Sequence, residues 1–205
     1  MASKYHFDIE QGSEEWLALR KWKLTGSHAQ AIWNIWKGLE TYTKKICAEF
    51  FSSGKKESYS NEHIERWHEL EPQAREIYSL KNMCDIQQVG FIELNEFVWT
   101  SPDGLVWDEW LVEIKSQDDE KHFSLVINWP KEIDSWYIWQ MQMNLWISER
   151  KWCDFISYNP NYEKSLFVHR VHRDEEKIQK LQDWCVEWIR QIRELKKIYE
   201  SQVKK

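Results

Sequence analysis

Ser101-Pro102-Asp103-Gly104, followed ten residues after Asp103 by Glu113-Ile114-Lys115, is the stretch that decides how this chain is read. Short runs of strand-forming residues surround it: Gly90 to Leu94, Phe97 to Ser101, Leu105 to Val106 and Leu111 to Lys115. Asp103 therefore falls at a turn between strands. Glu113 and Lys115 stand two apart on one strand and face the same side, so two carboxylates and one amine converge. Phosphodiester hydrolysis needs such a set. It requires a water deprotonated near neutral pH and a sink for charge developing on the phosphate oxygens. A hard divalent cation on oxygen ligands supplies both. Asp103 and Glu113 are the expected ligands of Mg²⁺ or Mn²⁺, two ions per site, with the Ile114 carbonyl as a third ligand. Lys115 would orient the attacking water or stabilise the developing charge. Alone, D-x9-E-x-K is a weak pattern, and a surface hairpin with solvated charges also satisfies it.

Upstream, Glu69-Leu70-Glu71-Pro72-Gln73-Ala74-Arg75 reads as part of a helix. A helix carboxylate aimed at the same metals would complete the cluster, and Glu71 is the choice; the alternative is an ordinary exposed Glu. Downstream, Gln140 in Tyr137-Ile138-Trp139-Gln140-Met141-Gln142 follows Lys115 by 25 residues. Its helix is expected to pack beside the active strand, where its amide suits a water or a phosphate oxygen. The aromatics Trp136, Tyr137, Trp139 and Trp146 read mostly as core, with Tyr137 near the site or its substrate.

The remaining elements follow from caps and periodicity. Ser13 is a candidate N-cap, with Glu14 and Glu15 in the first turn and Arg20 one turn after Trp16. Ser27 is a second candidate cap, before a helix from about His28 to Trp36. Helices are expected over Leu39 to Phe51, from Ser60 or Asn61 to about Tyr78 with a kink or break at Pro72, and over Ile133 to Trp146. Strands are expected over Cys153 to Tyr158 and Leu166 to Val171. Asp174 caps a closing helix whose Ile178, Leu181, Cys185, Trp188, Ile192, Leu195 and Tyr199 repeat at spacings of three and four. That stripe either packs on its own domain, the favoured reading, or mediates assembly. The order predicts a single mixed α/β domain over 1–205, with a core at about 10–172, a mixed central sheet flanked by helices, and a long C-terminal helix at 174–203.

Bulk composition excludes several classes. The chain has 205 residues, 42% hydrophobic and 30% charged, as in a globular domain. No apolar run is long enough for a membrane span, and Met1 to Glu10 lacks a signal-peptide pattern, so the cytoplasm is the expected compartment. Cys47, Cys84, Cys153 and Cys185 form no C-x-x-C pair and read as reduced, mostly buried thiols. An iron–sulfur nuclease with the same D…E-x-K core would need four cysteines split around the domain; Cys153 and Cys185 lack neighbouring partners, so it is disfavoured. A net charge of −6 argues against a simple nucleic-acid coat, though not against a nuclease with local phosphate contacts.

Tryptophan and glycine are out of proportion. There are 15 Trp and 6 Gly, against roughly 14 Gly at the average of about 7%. Several Trp sit where a turn would place Gly, Asn or Asp. Trp22, Trp33, Trp36, Trp67, Trp99, Trp107, Trp110 and Trp129 are therefore read as glycines of the native protein, encoded by UGA and translated here as Trp. Eight such exchanges would lift Gly from 6 to 14 and lower Trp from 15 to 7. The alternative is a genuinely Trp-rich chain.

Taken together, Trp16-Leu17-Ala18-Leu19-Arg20, Leu24-Thr25-Gly26-Ser27, Glu69 to Arg75, Ser101 to Gly104, Glu113-Ile114-Lys115 and Gln140-Met141-Gln142 resemble, in order and over about residues 10–150, the YqaJ/lambda-exonuclease family of viral recombinases within the PD-(D/E)XK nucleases. The resemblance implies a 5′-to-3′ exonuclease on linear double-stranded DNA, working in phage-type recombination. It implies that Arg20 and Ser27 bind the terminal 5′-phosphate, that Ser101 contributes to that site, and that Trp16, Tyr137 and Gln142 belong to the DNA-contacting set. It further implies a possible ring-shaped homotrimer and a single-strand annealing partner. The family has glycine at Trp22, Trp67 and Trp99, a second argument for recoding. The rivals are a restriction-type or structure-specific endonuclease and a catalytically impaired protein that binds DNA ends.

Overall fold

The computed structural model describes residues 3–29, 37–52, 62–128 and 131–204, with backbone alone at 37 and 62–68. Ser13 opens helix α1 (Glu14–Arg20): its hydroxyl accepts from the Trp16 N–H at 3.1 Å, and Glu14 and Glu15 lie at the positive end of the helix dipole. Strands β1 (Lys4–His6) and β2 (Leu24–Thr25) flank it. Neither was expected, because two or three residues are too few to show an alternation. A short 3₁₀ turn covers Gly26–His28; the helix expected onward to Trp36 lies outside the described residues.

Helices α2 (Lys37–Phe51) and α3 (Glu62–Asn82) come next. Of the kink or break expected at Pro72, the break does not occur: α3 runs through Pro72 and continues past Tyr78. A proline removes one N–H and crowds one carbonyl. Burial of Leu70, Ala74 and Tyr78 on either side of it holds the remaining turns against the sheet.

Strands β3 (Phe91–Glu93), β4 (Val98–Thr100), β5 (Gly104–Val106) and β6 (Trp110–Ser116) follow. Then come α4 (Asp119–Asn128), which the sequence reading missed, α5 (Ser135–Ser148), β7 (Trp152–Tyr158), β8 (Leu166–His172) and α6 (Glu175–Val203). One mixed central sheet was expected; the strands instead form two mixed four-stranded sheets, ordered β1-β3-β4-β2 and β5-β6-β7-β8. The chain crosses from the first to the second through Ser101–Asp103, so Asp103 stands at their junction. β6 and β7 pair in parallel, which a crossover through α4 and α5 permits and a hairpin would not.

Alternation along β6 sorts its side chains. Val112 and Ile114 join a core with Leu70, Ala74 and Tyr78 of α3, while Leu111 joins the larger core that includes residues of α2, α5 and α6. The stripe on α6 packs into that larger core at Leu181, Cys185, Trp188 and Ile192, Ile178 is buried as well, and Asp174 caps the helix by accepting from the Lys177 N–H at 3.0 Å. All four cysteines are free and buried.

Trp22 and Trp107 adopt φ of 57° and 44°, the left-handed region that glycine enters without cost. Trp99 and Trp110 instead lie within strands. Trp99 stacks on Phe91 at 3.9 Å between ring centroids, and Trp110 stacks on Trp152 at 5.0 Å. The turn-residue argument therefore does not apply to those two. Trp33, Trp36, Trp129 and the side chain of Trp67 lie outside the described residues. Trp107 is exposed at the β5–β6 turn, so Trp107→Gly is expected to stabilise the protein by up to about 1 kcal/mol, or ~2–4 °C in unfolding midpoint. A thermal melt checks this. A lowered midpoint would remove the backbone argument for glycine at 107.

Candidate active site

Glu113, inaccessible to solvent, projects from β6 towards α5. Its Oε1 accepts from Lys115 Nζ at 2.5 Å and from Gln140 Nε2 at 2.5 Å, and its Oε2 accepts from Asn144 Nδ2 at 3.0 Å. Asp103, also buried, meets the same strand. Pairing of β5 with β6 ends at Gly104↔Val112, and the next outward amide on that side, Ile114 N–H, donates to Asp103 Oδ2 at 2.6 Å. Gly104 makes this approach possible, since a Cβ there would overlap the Ile86 side chain and come within 2.9 Å of Val112 Cγ2.

Glu71 approaches from α3, ion-paired with Arg75 one turn on. Burial and the neighbouring carboxylates push its pKa up to about 8, against the opposing pull of Arg75 and Lys115. Burial and Asp103 push Glu113 up to about 7, and burial raises Asp103 as well. Burial alone would lower Lys115, but Glu113 and Asp103 outweigh it and hold the ammonium above its ordinary value. So placed, Lys115 can donate a hydrogen bond into the site.

A cavity of about 160 Å³ joins this cluster to a second one. Asp103, Glu113, Lys115 and Gln140 line it together with Trp16, Arg20, Thr25 and Ser27; Gln11, Gly26, Thr100, Ser101 and Asn144 complete the wall. Arg20 donates to Ser27 Oγ at 2.5 Å and to Thr25 Oγ1 at 3.2 Å, and its guanidinium lies 4.6 Å from the centroid of the Trp16 ring. Trp16 is itself buried, with its indole N–H donated to the Gly90 carbonyl, so it supports Arg20 from below. Tyr137 stands beside Lys115, with 5.2 Å from Nζ to the ring centroid.

One expectation needs correction. Gln142 is buried away from the cavity: its amide donates to the His172 carbonyl at 2.8 Å and accepts from the Asp174 N–H at 2.8 Å. Both ends are used to tie β8 to α6, so nothing remains for DNA. Glu71 does not line the cavity; its carboxylate pairs with Arg75. It neighbours Asp103 and Glu113 electrostatically. The sequence reading also missed Asn144, Thr100, Thr25 and Gln11. Asn144 lies one helical turn beyond Gln140, a spacing that would have found it. Gln11 donates to the Val89 and Pro102 carbonyls at 2.7 and 3.0 Å, fastening the turn that holds Asp103, and only tertiary contact reveals that.

Residues 15–151 match the model of the YqaJ-like viral recombinase domain. The chain belongs to this family. Among solved structures, the YqaJ-like chain is similar to an alkaline exonuclease, LHK-Exo, from Laribacter hongkongensis. Identity is 27%, the TM-score is 0.78, and the match covers 93% of this chain and 100% of that one. The same protein in complex with dAMP matches at 28% identity and a TM-score of 0.79, with the same coverage. A phage-related exonuclease from Haemophilus somnus 129PT shares the fold at 16% identity and a TM-score of 0.68, over 86% of this chain and 96% of that one. No curated protein sequence matches the YqaJ-like chain. Family and fold together make it a nuclease of the restriction-endonuclease-like type.

Proposed function

We propose that the chain is a divalent-metal-dependent exonuclease that degrades the 5′-ended strand of linear double-stranded DNA, 5′ to 3′, in phage-type recombination. The observation that carries this reading is the single cavity joining Asp103, Glu113 and Lys115 to Arg20, Thr25 and Ser27. One end suits a scissile phosphate and the other a terminal phosphate, as an enzyme that cuts next to a strand end requires. LHK-Exo binding dAMP supports the same reading, a deoxynucleoside monophosphate being the expected product.

The donor set fits Mg²⁺ or Mn²⁺. Burial, and Asp103 beside them, raise the pKa of Glu71 and Glu113, and among the described residues two buried acceptors, Glu71 Oε2 and Gln140 Oε1, lack a hydrogen-bond partner. Asp103 and Glu113 would hold the ions directly, with the Ile114 carbonyl as a further ligand. N–H and C=O of one strand residue point the same way, and the Ile114 N–H already points to Asp103. Water and phosphate oxygens would complete the shell, as Mg²⁺ prefers. When bound, the ions supply charge neutralisation and a lowered pKa for the attacking water. Lys115 donates to that water or to a phosphate oxygen. Gln140 has its N–H on Glu113, so its free carbonyl oxygen takes a donor such as water. Arg20, propped on Trp16, offers paired donors to the 5′-phosphate, with Ser27, Thr25 and Ser101 beside it.

The deciding experiment uses linear duplex with one 5′-phosphorylated end. Metal-dependent loss of the phosphorylated strand, abolished by EDTA and by Asp103→Ala, is the expected result. Cutting of closed circular DNA would favour the endonuclease reading. Binding to ends without digestion would favour an end-binding protein. Arg20→Ala is expected to slow digestion of 5′-phosphorylated ends about 10- to 100-fold, and of 5′-hydroxyl ends little.

A further inference from the structure

We infer that Asn144 is a positioning residue that couples the terminal-phosphate loop to the carboxylate at the scissile phosphate. The inference rests on the function proposed above and adds a role to a residue outside the expected set. Asn144 is inaccessible to solvent on α5, and a buried amide must satisfy both its ends. Its N–H donates to Glu113 Oε2 at 3.0 Å. Its Oδ1 accepts from the Thr100 hydroxyl. One side chain thus holds Glu113 on one side and the end of β4 on the other.

β4 pairs in parallel with β2, Leu24 opposite Val98 and Thr25 opposite Trp99. The residues that follow, Gly26 and Thr100, therefore run side by side. A Cβ on Gly26 would lie 2.6 Å from Asn144 Oδ1 and 3.0 Å from Thr100 Oγ1. At 2.6 Å something must shift, so a methyl there would push against the amide, and glycine lets the loop seat on it undisturbed. Gly26 is flanked by Thr25 and Ser27, both bonded to Arg20. The position of the phosphate loop is thus set by direct contact with the amide that aims Glu113. The distance between terminal and scissile phosphates then follows from one packed contact rather than from two independent supports.

The test compares wild type, Asn144→Ser, Gly26→Ala and the double variant. Two quantities are read: the preference for a 5′-phosphorylated over a 5′-hydroxyl duplex end, as a ratio of Kd values in EDTA, and the single-turnover cleavage rate in Mg²⁺. Serine is too short to bridge Glu113 and Thr100, so Asn144→Ser is expected to slow cleavage about tenfold or more and to lower the phosphate preference in EDTA. Gly26→Ala drives a methyl into Asn144 and is expected to do both as well. The double variant is expected to be no worse than Asn144→Ser, because the clash has lost its partner; contacting residues are non-additive in this way. Slower cleavage by Asn144→Ser with an unchanged phosphate preference would overturn the coupling, as would strictly additive effects. If Asn144→Ser unfolds, the isosteric Asn144→Asp replaces it; unchanged phosphate preference in that variant counts equally against the proposal. Absence of cleavage by wild type would count against the proposed function instead, while the EDTA ratios would still report on the contact.

Discussion

Glu113→Gln is expected to lower the cleavage rate on the order of 10³-fold or more, equivalent to about 4 kcal/mol in the barrier, while leaving the fold in place at pH 6. Glu113 receives Lys115, Gln140 and Asn144 and is buried beside Asp103. A neutral amide keeps the shape of the side chain and removes the charge that a divalent cation requires. With its pKa pushed up to about 7, Glu113 is largely protonated at pH 6, so glutamine there replaces a group already neutral. Single-turnover kinetics at pH 8 and a thermal melt at pH 6 check the two halves. A variant retaining more than a tenth of wild-type rate would remove Glu113 from the metal site.

The second large effect is on stability against pH. In EDTA the protein is expected to lose stability as pH rises from about 5 to above 8. Glu71 and Glu113 release their protons near 8 and near 7 when folded, and near 4.3 when unfolded. Between those values the folded state holds more protons than the unfolded one, so raising the pH favours unfolding. The contribution is fully present below the unfolded pKa and gone above the folded one. Its size is on the order of 3–5 kcal/mol, less than the sum of the separate shifts because the carboxylates titrate together. Melts of wild type and a Glu71→Gln, Glu113→Gln variant isolate this cluster from other titrating groups. The wild-type midpoint should fall relative to the variant between pH 5 and 8.5, and Mg²⁺ should restore it at the alkaline end. A parallel pair of curves would show that burial does not strain these carboxylates. The same linkage predicts that cation affinity, and with it activity, rises with pH through 7–8.

Some of this was legible one residue at a time. A strand repeats every two residues, so Glu113 and Lys115 had to share a face wherever the strand was placed. Ser13 and Asp174 cap helices through their own neighbouring amides, a contact made within three residues. The stripe on α6 announced a buried face, and Trp107 announced a backbone that its side chain does not favour. The failures have local causes too. β1 and β2 are too short to show a period, and α4 buries only His122 and Leu125 among its ten residues, Asp119–Asn128, too few to mark an apolar face. At Pro72 a kink or a break was expected, and packing on both sides of it kept the helix from ending there.

The sequence by itself determined the chemistry on offer: two carboxylates, an amine and their spacing, with a phosphate-binding role for Arg20 and Ser27 expected from family resemblance. It also determined which helices have a buried face. Only the tertiary structure decided which polar side chains reach the cavity. Gln140 and Gln142 are two apart on one helix, and rotation of α5 turns the first to Glu113 and sends the second to His172 and Asp174. Asn144, Thr100 and Gly26 come from three separate elements and meet only because β2 and β4 pair in parallel beneath α5. Local periodicity fixes a residue's direction relative to its own element. Its partners are fixed by how elements pack, and contacts remote in sequence leave no period to read.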